Sequence, residues 1–201
     1  MTIFTFDRRG DNFDGIFRSV GNRTKPEEFR KFVKVDGPFV SERGKPIDMI
    51  NHSITSTDPL YNWISTTGEN TSFIVTFLKN RIKMSGYSFK SRTDLYGNYP
   101  AEWIVEGSNN KKNWEFIHHH ERSNEIASKG AEGTWNCTSS FFYKSIKVTQ
   151  LGSNAATVDN KYYFSMYRIE FFGKISSSIC SMAHNKKCIS LLTMIASILL
   201  I

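Results

Sequence analysis

The chain has 201 residues, enough for one substantial hydrophobic core with short flanking segments. Its 26 basic and 19 acidic residues give a formal net charge of +7, but the basic residues are scattered, so a dedicated nucleic-acid site is not expected. The 16 Phe, 8 Tyr and 4 Trp favour strands, and no long segment has helical periodicity. We therefore predict an all-β fold, an antiparallel β-sandwich.

The three cysteines are Cys137, Cys180 and Cys188. An odd number in a β domain of this size argues against a disulfide framework. The first residues lack the basic and then apolar order of a signal peptide. Both features favour a cytoplasmic location.

From its amino terminus the chain is expected to begin with an irregular lead-in, residues 1–34, packed on the domain. Residues 26–35 are compatible with a short helix or with a leading strand. The sandwich is expected over residues 35–175, and alternating apolar and polar residues predict strands at 73–78, 82–91, 102–107, 114–118, 145–150 and 166–173. Trp103 and Trp114 flank a polar turn on two of these strands and are expected to be buried.

If successive strands run antiparallel, every second connection lies at the same end of the sandwich. The long loops 62–71, 91–100, 118–134 and 151–164 then share one end, where binding is usual. The short turns at 79–81, 108–113 and 143–144 share the other. The candidate ligand contacts in the long loops are Trp63, Arg92, Asp94, Tyr96, Asn98, Tyr99, Asn154, Asp159, Asn160 and Tyr162.

Aromatic faces stack on sugar rings or enter lipid, and Arg, Asn and Asp side chains select hydroxyls or head groups. Each candidate also has a structural alternative. Arg92 either contacts a ligand or forms a salt bridge with Asp94. Tyr96 and Tyr99 either form an exposed platform or pack the loop.

The run His118-His119-His120 suggests a metal site, but on a strand only His118 and His120 share a face, and a third ligand is not apparent. A polar surface loop is the favoured interpretation. The sequence has no phosphate-binding loop, no nucleophile elbow, no His-Glu-x-x-His and no cysteine pairs at zinc spacing. Catalysis is therefore not expected.

Several segments, in this order, resemble the discoidin family (the F5/8 type C, galactose-binding-like domains). The segments are Asp14-Gly15-Ile16-Phe17, Pro46-Ile47-Asp48-Met49-Ile50-Asn51, Asp58-Pro59-Leu60-Tyr61-Asn62-Trp63, the hairpin 101–117 with Glu106-Gly107-Ser108-Asn109 and Asn113-Trp114, the strand 145–150 and Glu170-Phe171-Phe172-Gly173. The resemblance covers about residues 12–175. Lys111 departs from it, because the family usually has Gly in this turn, so a left-handed position is either strained here or shifted onto Asn110.

This resemblance implies a galactose-binding-like, jelly-roll sandwich that binds ligands through its loops without catalysis. The implied ligand is a carbohydrate, a lipid head group or a protein surface, and no cofactor is implied apart from a possible structural calcium ion. Asp58 and Glu170 match the positions that hold calcium in many such domains. The family's tryptophan at the position of Trp63 packs inward.

After a polar linker, residues 176–187, the chain has 14 uncharged residues, 188–201, preceded by Lys186 and Lys187. As a helix this apolar tail spans about 21 Å, less than the roughly 30 Å hydrocarbon core of a bilayer. It is compatible with a short membrane anchor or with packing on a partner. The alternative function is therefore a tail-anchored membrane adaptor whose sandwich is a protein-interaction scaffold.

Overall fold

The computed structural model describes residues 2–8, 10–40, 42–52, 59–94, 98–155 and 162–177. The strands are β1 (Thr2–Phe6), β2 (Val33–Asp36), β3 (Trp63–Ile64), β4 (Ser72–Phe77), β5 (Asn80–Lys90), β6 (Trp103–Ser108), β7 (Glu115–His120), β8 (Glu132–Asn136), β9 (Ser145–Gln150), β10 (Ser165–Met166) and β11 (Arg168–Ser177). The helices are α1 (Ile16–Gly21) and α2 (Pro26–Phe32), with single 3₁₀ turns at Pro46–Ile50 and Pro59–Tyr61.

Two sheets form the sandwich, and all of their strands pair antiparallel. One sheet has the order β1-β11-β5-β8 and the other has the order β2-β4-β9-β6-β7, while β10 and β3 form a short separate pair. The inward side chains of both sheets, among them Phe73, Val105, Ile146 and Phe171, form one core cluster. The predicted antiparallel β-sandwich is confirmed. The six predicted strands correspond to β4, β5, β6, β7, β9 and β11, with bounds shifted by a few residues.

The lead-in expected to be irregular contains a strand and two helices. β1 pairs with β11 over five residues, from Thr2 opposite Ser177 to Phe6 opposite Gly173. By sequence, residues 26–35 are compatible with a short helix or with a leading strand, and the structure contains both: α2 is followed directly by β2. Short elements of this kind depend on contacts with distant segments, so local sequence patterns are a weak guide to them.

α1 shows this dependence directly. With only six residues it is too short to be stable alone, and its buried Ile16 and Phe17 pack into the core. The Glu170 carboxylate of β11 accepts hydrogen bonds from Phe17 N (2.8 Å) and Arg18 N (3.0 Å). Gly15 permits this approach, because a Cβ there would lie 2.5 Å from Phe171 O.

The turn between β6 and β7 keeps its left-handed residue at Lys111, with a φ of 58°. Asn110 does not take over that conformation. Instead, Ser108 Oγ accepts a hydrogen bond from Lys111 N (2.9 Å), and Asn110 Oδ1 accepts one each from Lys112 N and Asn113 N (both 2.9 Å). These bonds satisfy the backbone of a turn in which a non-glycine residue is strained.

The two tryptophans beside this turn have different environments. Trp103 is buried and its Nε1 donates to Tyr87 Oη at 2.9 Å. Trp114 is only half-buried, and Lys147 Nζ lies 4.5 Å from the centre of its ring. The prediction that Trp114 is buried is wrong, because Trp114 precedes β7 on the same side of the strand as the exposed Phe116.

This difference predicts unequal effects of two matched substitutions. Trp103→Ala is expected to lower the free energy of unfolding by about 3 to 5 kcal/mol, because it empties a core site and leaves Tyr87 without its donor. Trp114→Ala is expected to cost about 1 kcal/mol or less, as for an exposed cation–π contact. Urea denaturation of both variants tests this, and equal losses would contradict it.

Candidate functional site

The four long loops lie at one end of the sandwich, here called the loop end, residues 65–71, 91–102, 121–131 and 151–164, of which 95–97 and 156–161 lie outside the described residues. Hydrogen bonds join the loops: Gly68 N to Tyr162 O (3.2 Å), Ala155 N to Tyr99 O (2.9 Å), Ser123 N to Ala101 O (2.9 Å) and Gly130 N to Arg92 O (2.7 Å). The predicted grouping of these loops is therefore observed.

A buried ion pair lies at the base of the loop end. Arg92 Nη2 is 2.5 Å from Asp94 Oδ2, and the two side chains are 2% and 5% exposed. The salt bridge considered from the sequence is thus formed. Asn62, which the sequence did not single out, supports the pair, because its Oδ1 accepts a hydrogen bond from Thr93 N at 3.1 Å between the two charged residues.

Tyr99 and Asn154 connect this pair to the neighbouring loops. Tyr99 Oη donates to Asp94 O at 3.2 Å, and burial raises the pKa of this hydroxyl, which therefore remains a donor. Asn154 Nδ2 donates to Tyr99 O (3.1 Å) and to Tyr163 O (2.7 Å), and its Oδ1 accepts from Tyr163 N (2.8 Å). The side chains of Tyr99 and Asn154 therefore stabilise the loop backbone through hydrogen bonds.

The remaining candidates differ in their exposure. Trp63 is in the core, against Phe73 and Phe164, with its Nε1 donating to Pro38 O at 3.0 Å. Asn98 and Tyr162 are half-buried at the loop end. Tyr96, Asp159 and Asn160 lie outside the described residues.

Three buried polar atoms at the base of the loop end have no hydrogen-bond partner among the described residues: Arg92 Nε, Asp94 Oδ1 and Asn98 Oδ1. Asn98 adopts a left-handed conformation, with a φ of 60°, and its carbonyl accepts a bond from Ser165 Oγ at 2.6 Å. Buried donors and acceptors are normally paired. This group therefore offers one donor and two acceptors to a polar ligand that reaches it.

The structure gives Glu170 a different role from the calcium ligation considered above. Its Oε1 accepts from Phe17 N (2.8 Å) and Phe171 N (2.9 Å), and its Oε2 accepts from Arg18 N (3.0 Å). His52 Nε2 lies 3.1 Å from Oε2, in a contact without hydrogen-bond geometry. Both carboxylate oxygens thus accept backbone hydrogen bonds that attach α1 to β11.

The other suggested calcium ligand, Asp58, lies outside the described residues. Within the described ranges, no group of three or more His, Cys, Asp or Glu side chains is arranged to hold a metal ion.

The three histidines belong to β7 and are not a surface loop. Tyr87 Oη accepts from Trp103 Nε1 and is hydrogen-bonded to His118 Nδ1, 2.8 Å away. His120 stacks on Trp103 with ring centres 3.9 Å apart, whereas His119 lies 2.9 Å from Glu102 at the surface. Burial lowers the pKa of His118 and of His120 and so favours neutral rings.

No family model matches the sequence, and no curated protein matches it. Solved structures do resemble the fold. Two are family 32 carbohydrate-binding modules from Clostridium perfringens. One, in complex with GalNAc-β-1,3-galactose, has a TM-score of 0.52 and 12% sequence identity, and the match covers 70% of this chain and 94% of that chain. The other, in complex with galactose, has a TM-score of 0.52 and 14% sequence identity, and the match covers 72% of this chain and 93% of that chain. The chain has the discoidin fold. A fucolectin from striped bass, Morone saxatilis, shares this fold, with a TM-score of 0.52 and 13% sequence identity over 77% of this chain and 48% of that chain.

Within this discoidin fold, the buried ion pair predicts a large stability effect. Arg92→Ala is expected to lower the free energy of unfolding by about 3 kcal/mol, because it leaves the Asp94 carboxylate buried and unpaired. Lys90→Ala removes a more exposed pair with Glu132 and is expected to cost less than about 1 kcal/mol. Denaturant titrations of the two variants provide the comparison. A loss for Arg92→Ala no greater than that of the control would refute the structural role.

The lowered pKa values of His118 and His120 predict acid sensitivity. Their pKa values are lower in the folded than in the unfolded chain, so the stability they contribute is present above about pH 6.5 and is lost as the pH falls through the folded values.

The measurement is the free energy of unfolding between about pH 7.5 and 5.5, above the range in which most carboxylates titrate. We expect His120→Phe, which keeps an aromatic ring over Trp103, to flatten this dependence. His119→Gln should leave it unchanged. A His120→Phe profile parallel to the parent would show that His120 does not cause it.

Proposed function

We propose that this protein is a non-enzymatic carbohydrate-binding module that recognises a glycan through its loop end. The observation that carries the proposal is the set of buried polar atoms on Arg92, Asp94 and Asn98 that have no partner among the described residues, at the end of the sandwich that also carries the half-exposed Tyr162. The neighbouring structures support it, since two were solved with galactose or a galactose-containing disaccharide and a third is a fucolectin. At this level of identity they share the fold, so the ligand remains a proposal.

The chemistry of the unpartnered atoms suits sugar hydroxyls. Each hydroxyl both donates and accepts a hydrogen bond, so adjacent hydroxyls match one N–H donor next to carboxylate or amide acceptors. Arg92 is already held by Asp94, and Asp94 O accepts a hydrogen bond from Tyr99. Such a preorganised group loses little conformational entropy when a ligand binds.

We expect a glycan to approach the buried polar atoms from the half-exposed residues of the loop end. Arg92 and Asp94 are buried, so a glycan first meets Asn98 and Tyr162 and reaches the ion pair only by displacing the loop surface above it. The aromatic ring of Tyr162 is suited to stacking on a sugar face.

The charge of the loop end favours a neutral ligand over an anionic lipid head group. Its four loops contain six acidic residues, Glu69, Asp94, Glu102, Glu121, Glu125 and Asp159, and four basic ones, Arg92, Arg122, Lys129 and Lys161. An anionic head group would be repelled by this balance, whereas an uncharged sugar would not.

The test is a glycan array followed by calorimetry with galactose-terminated glycans. Tyr162→Ala and Asn98→Gly are each expected to weaken binding about tenfold, the effect of one lost hydrogen bond or stacking contact. Glycine adopts the positive φ of Asn98 without strain, so this variant removes the amide and keeps the backbone.

The matched control is Lys111→Gly, which changes another positive-φ residue at the opposite end of the sandwich. It should bind like the parent. If both loop-end variants keep the parent affinity for a glycan that binds, the site lies elsewhere. If the array detects no glycan, the proposed function is wrong.

A further inference from the structure

The end of the sandwich opposite the loop end is formed by three short segments, residues 78–81, 109–115 and 137–144, here called the turn end. Hydrogen bonds connect these segments. Asn109 Nδ2 donates to Phe142 O (3.1 Å), Asn109 Oδ1 accepts from Lys144 N (3.0 Å), and Phe77 N donates to Lys144 O (2.9 Å). The turn end is therefore one connected surface.

This surface is strongly cationic. Its segments contain five basic residues, Lys79, Arg81, Lys111, Lys112 and Lys144, and one acidic residue, Glu115. The Glu115 carboxylate accepts a hydrogen bond from Tyr143 Oη at 2.9 Å. The segments of the turn end have a net charge of +4, whereas the four loops of the loop end have a net charge of −2.

Large apolar side chains are exposed among these basic residues. Phe141 is 62% exposed and Leu78 is 41% exposed, and each lies in a turn that also carries a lysine. Water-exposed apolar groups surrounded by lysines are typical of surfaces that bind anionic membranes, because the apolar groups enter the interface while the cations attract the head groups.

The carboxyl end of β11 also lies at the turn end. β11 ends at Ser177, which pairs with Asn80 and Thr2. The sequence that follows contains Lys186 and Lys187 and then the uncharged residues 188–201, whose structure lies outside the described residues. None of the helices in the described ranges is long and apolar enough to cross a membrane.

We propose that the turn end is a docking surface for an anionic lipid membrane. Phe141 and Leu78 enter the interface, and Lys112 and Lys144 contact anionic head groups. The loop end then points away from the bilayer, towards soluble or cell-surface glycans. Each lysine near such a surface contributes about fivefold to the affinity.

A nucleic acid fits this surface less well. It would use the lysines but not the exposed Leu78, which is aliphatic and offers no ring face on which a base could stack. The membrane therefore accounts for both the charge and the apolar exposure.

The experiment is vesicle co-sedimentation of the full chain, with phosphatidylcholine vesicles and with vesicles that also contain phosphatidylserine. The test variants are Lys112→Gln with Lys144→Gln, and Phe141→Ser. The controls are Lys25→Gln with Lys45→Gln, which gives the same net charge from exposed lysines outside both ends, and Phe116→Ser, on the outer face of the sandwich and 68% exposed. Denaturant midpoints verify that every variant is folded.

We expect the parent to bind the phosphatidylserine vesicles in a salt-sensitive manner. The double lysine variant should bind about thirtyfold more weakly, Phe141→Ser should also bind more weakly, and the controls should match the parent. Parent-like binding by both test variants would assign attachment to the tail alone and overturn the proposal. Equal losses in the controls, tighter binding to single-stranded DNA than to vesicles, or no vesicle binding would also overturn it. Glycan binding by the same variants should be unchanged, so this test is independent of the proposed function.

Discussion

Because every strand of the two sheets pairs antiparallel with its neighbours, consecutive connections alternate between the two ends of the sandwich. This alternation places the long loops at one end and the short turns at the other, and it requires no contacts between the two groups. Long connections need internal bonds to hold their shape, whereas short turns are held by the strands they join. The two ends can therefore carry different chemistry on one rigid scaffold, a polar network at the loop end and a cationic, partly apolar surface at the turn end.

The loop end is organised by polar groups that are removed from water. Arg92, Asp94, Asn62 and Asn154 would each be costly to bury alone, and the structure compensates by bonding them to one another and to the loop backbone. In the described part of the loop end, the same arrangement leaves three buried polar atoms without a hydrogen-bond partner. Arg92 and Asp94 therefore have two roles: they stabilise the loops through their ion pair, and each also has an atom that is available to a ligand.

Glu170 has a comparable organising role away from the loops. Its carboxylate accepts three backbone N–H bonds, two of them from α1, and so attaches a helix that is too short to be stable alone to the central strand β11. Negative charge at a helix N-terminus is favourable, and burial strengthens each bond. The Asp14-Gly15-Ile16-Phe17 segment suits this contact, because Gly15 leaves room for the carboxylate and Phe17 fills the core beneath it.

Much of the fold follows from local pattern. The alternation in β4, β5, β6, β9 and β11 identifies half-buried strands, because side chains two residues apart share a face, and the order of the segments is enough to recognise the discoidin resemblance. Antiparallel parity also places the loops at one end. These inferences need only neighbouring residues and their order along the chain.

Other features depend on partners distant in sequence. β1 forms because β11 presents an open edge, the outward direction of Trp114 is set by the register of β7, and the pKa of His118 is lowered by burial beside Tyr87. The burial of Arg92 likewise depends on Asn62 and on loops more than thirty residues away. The sequence by itself therefore determined which segments are strands and which connections share an end. Only the tertiary structure decided which polar side chains are enclosed, because burial depends on the packing of segments that are far apart in the chain.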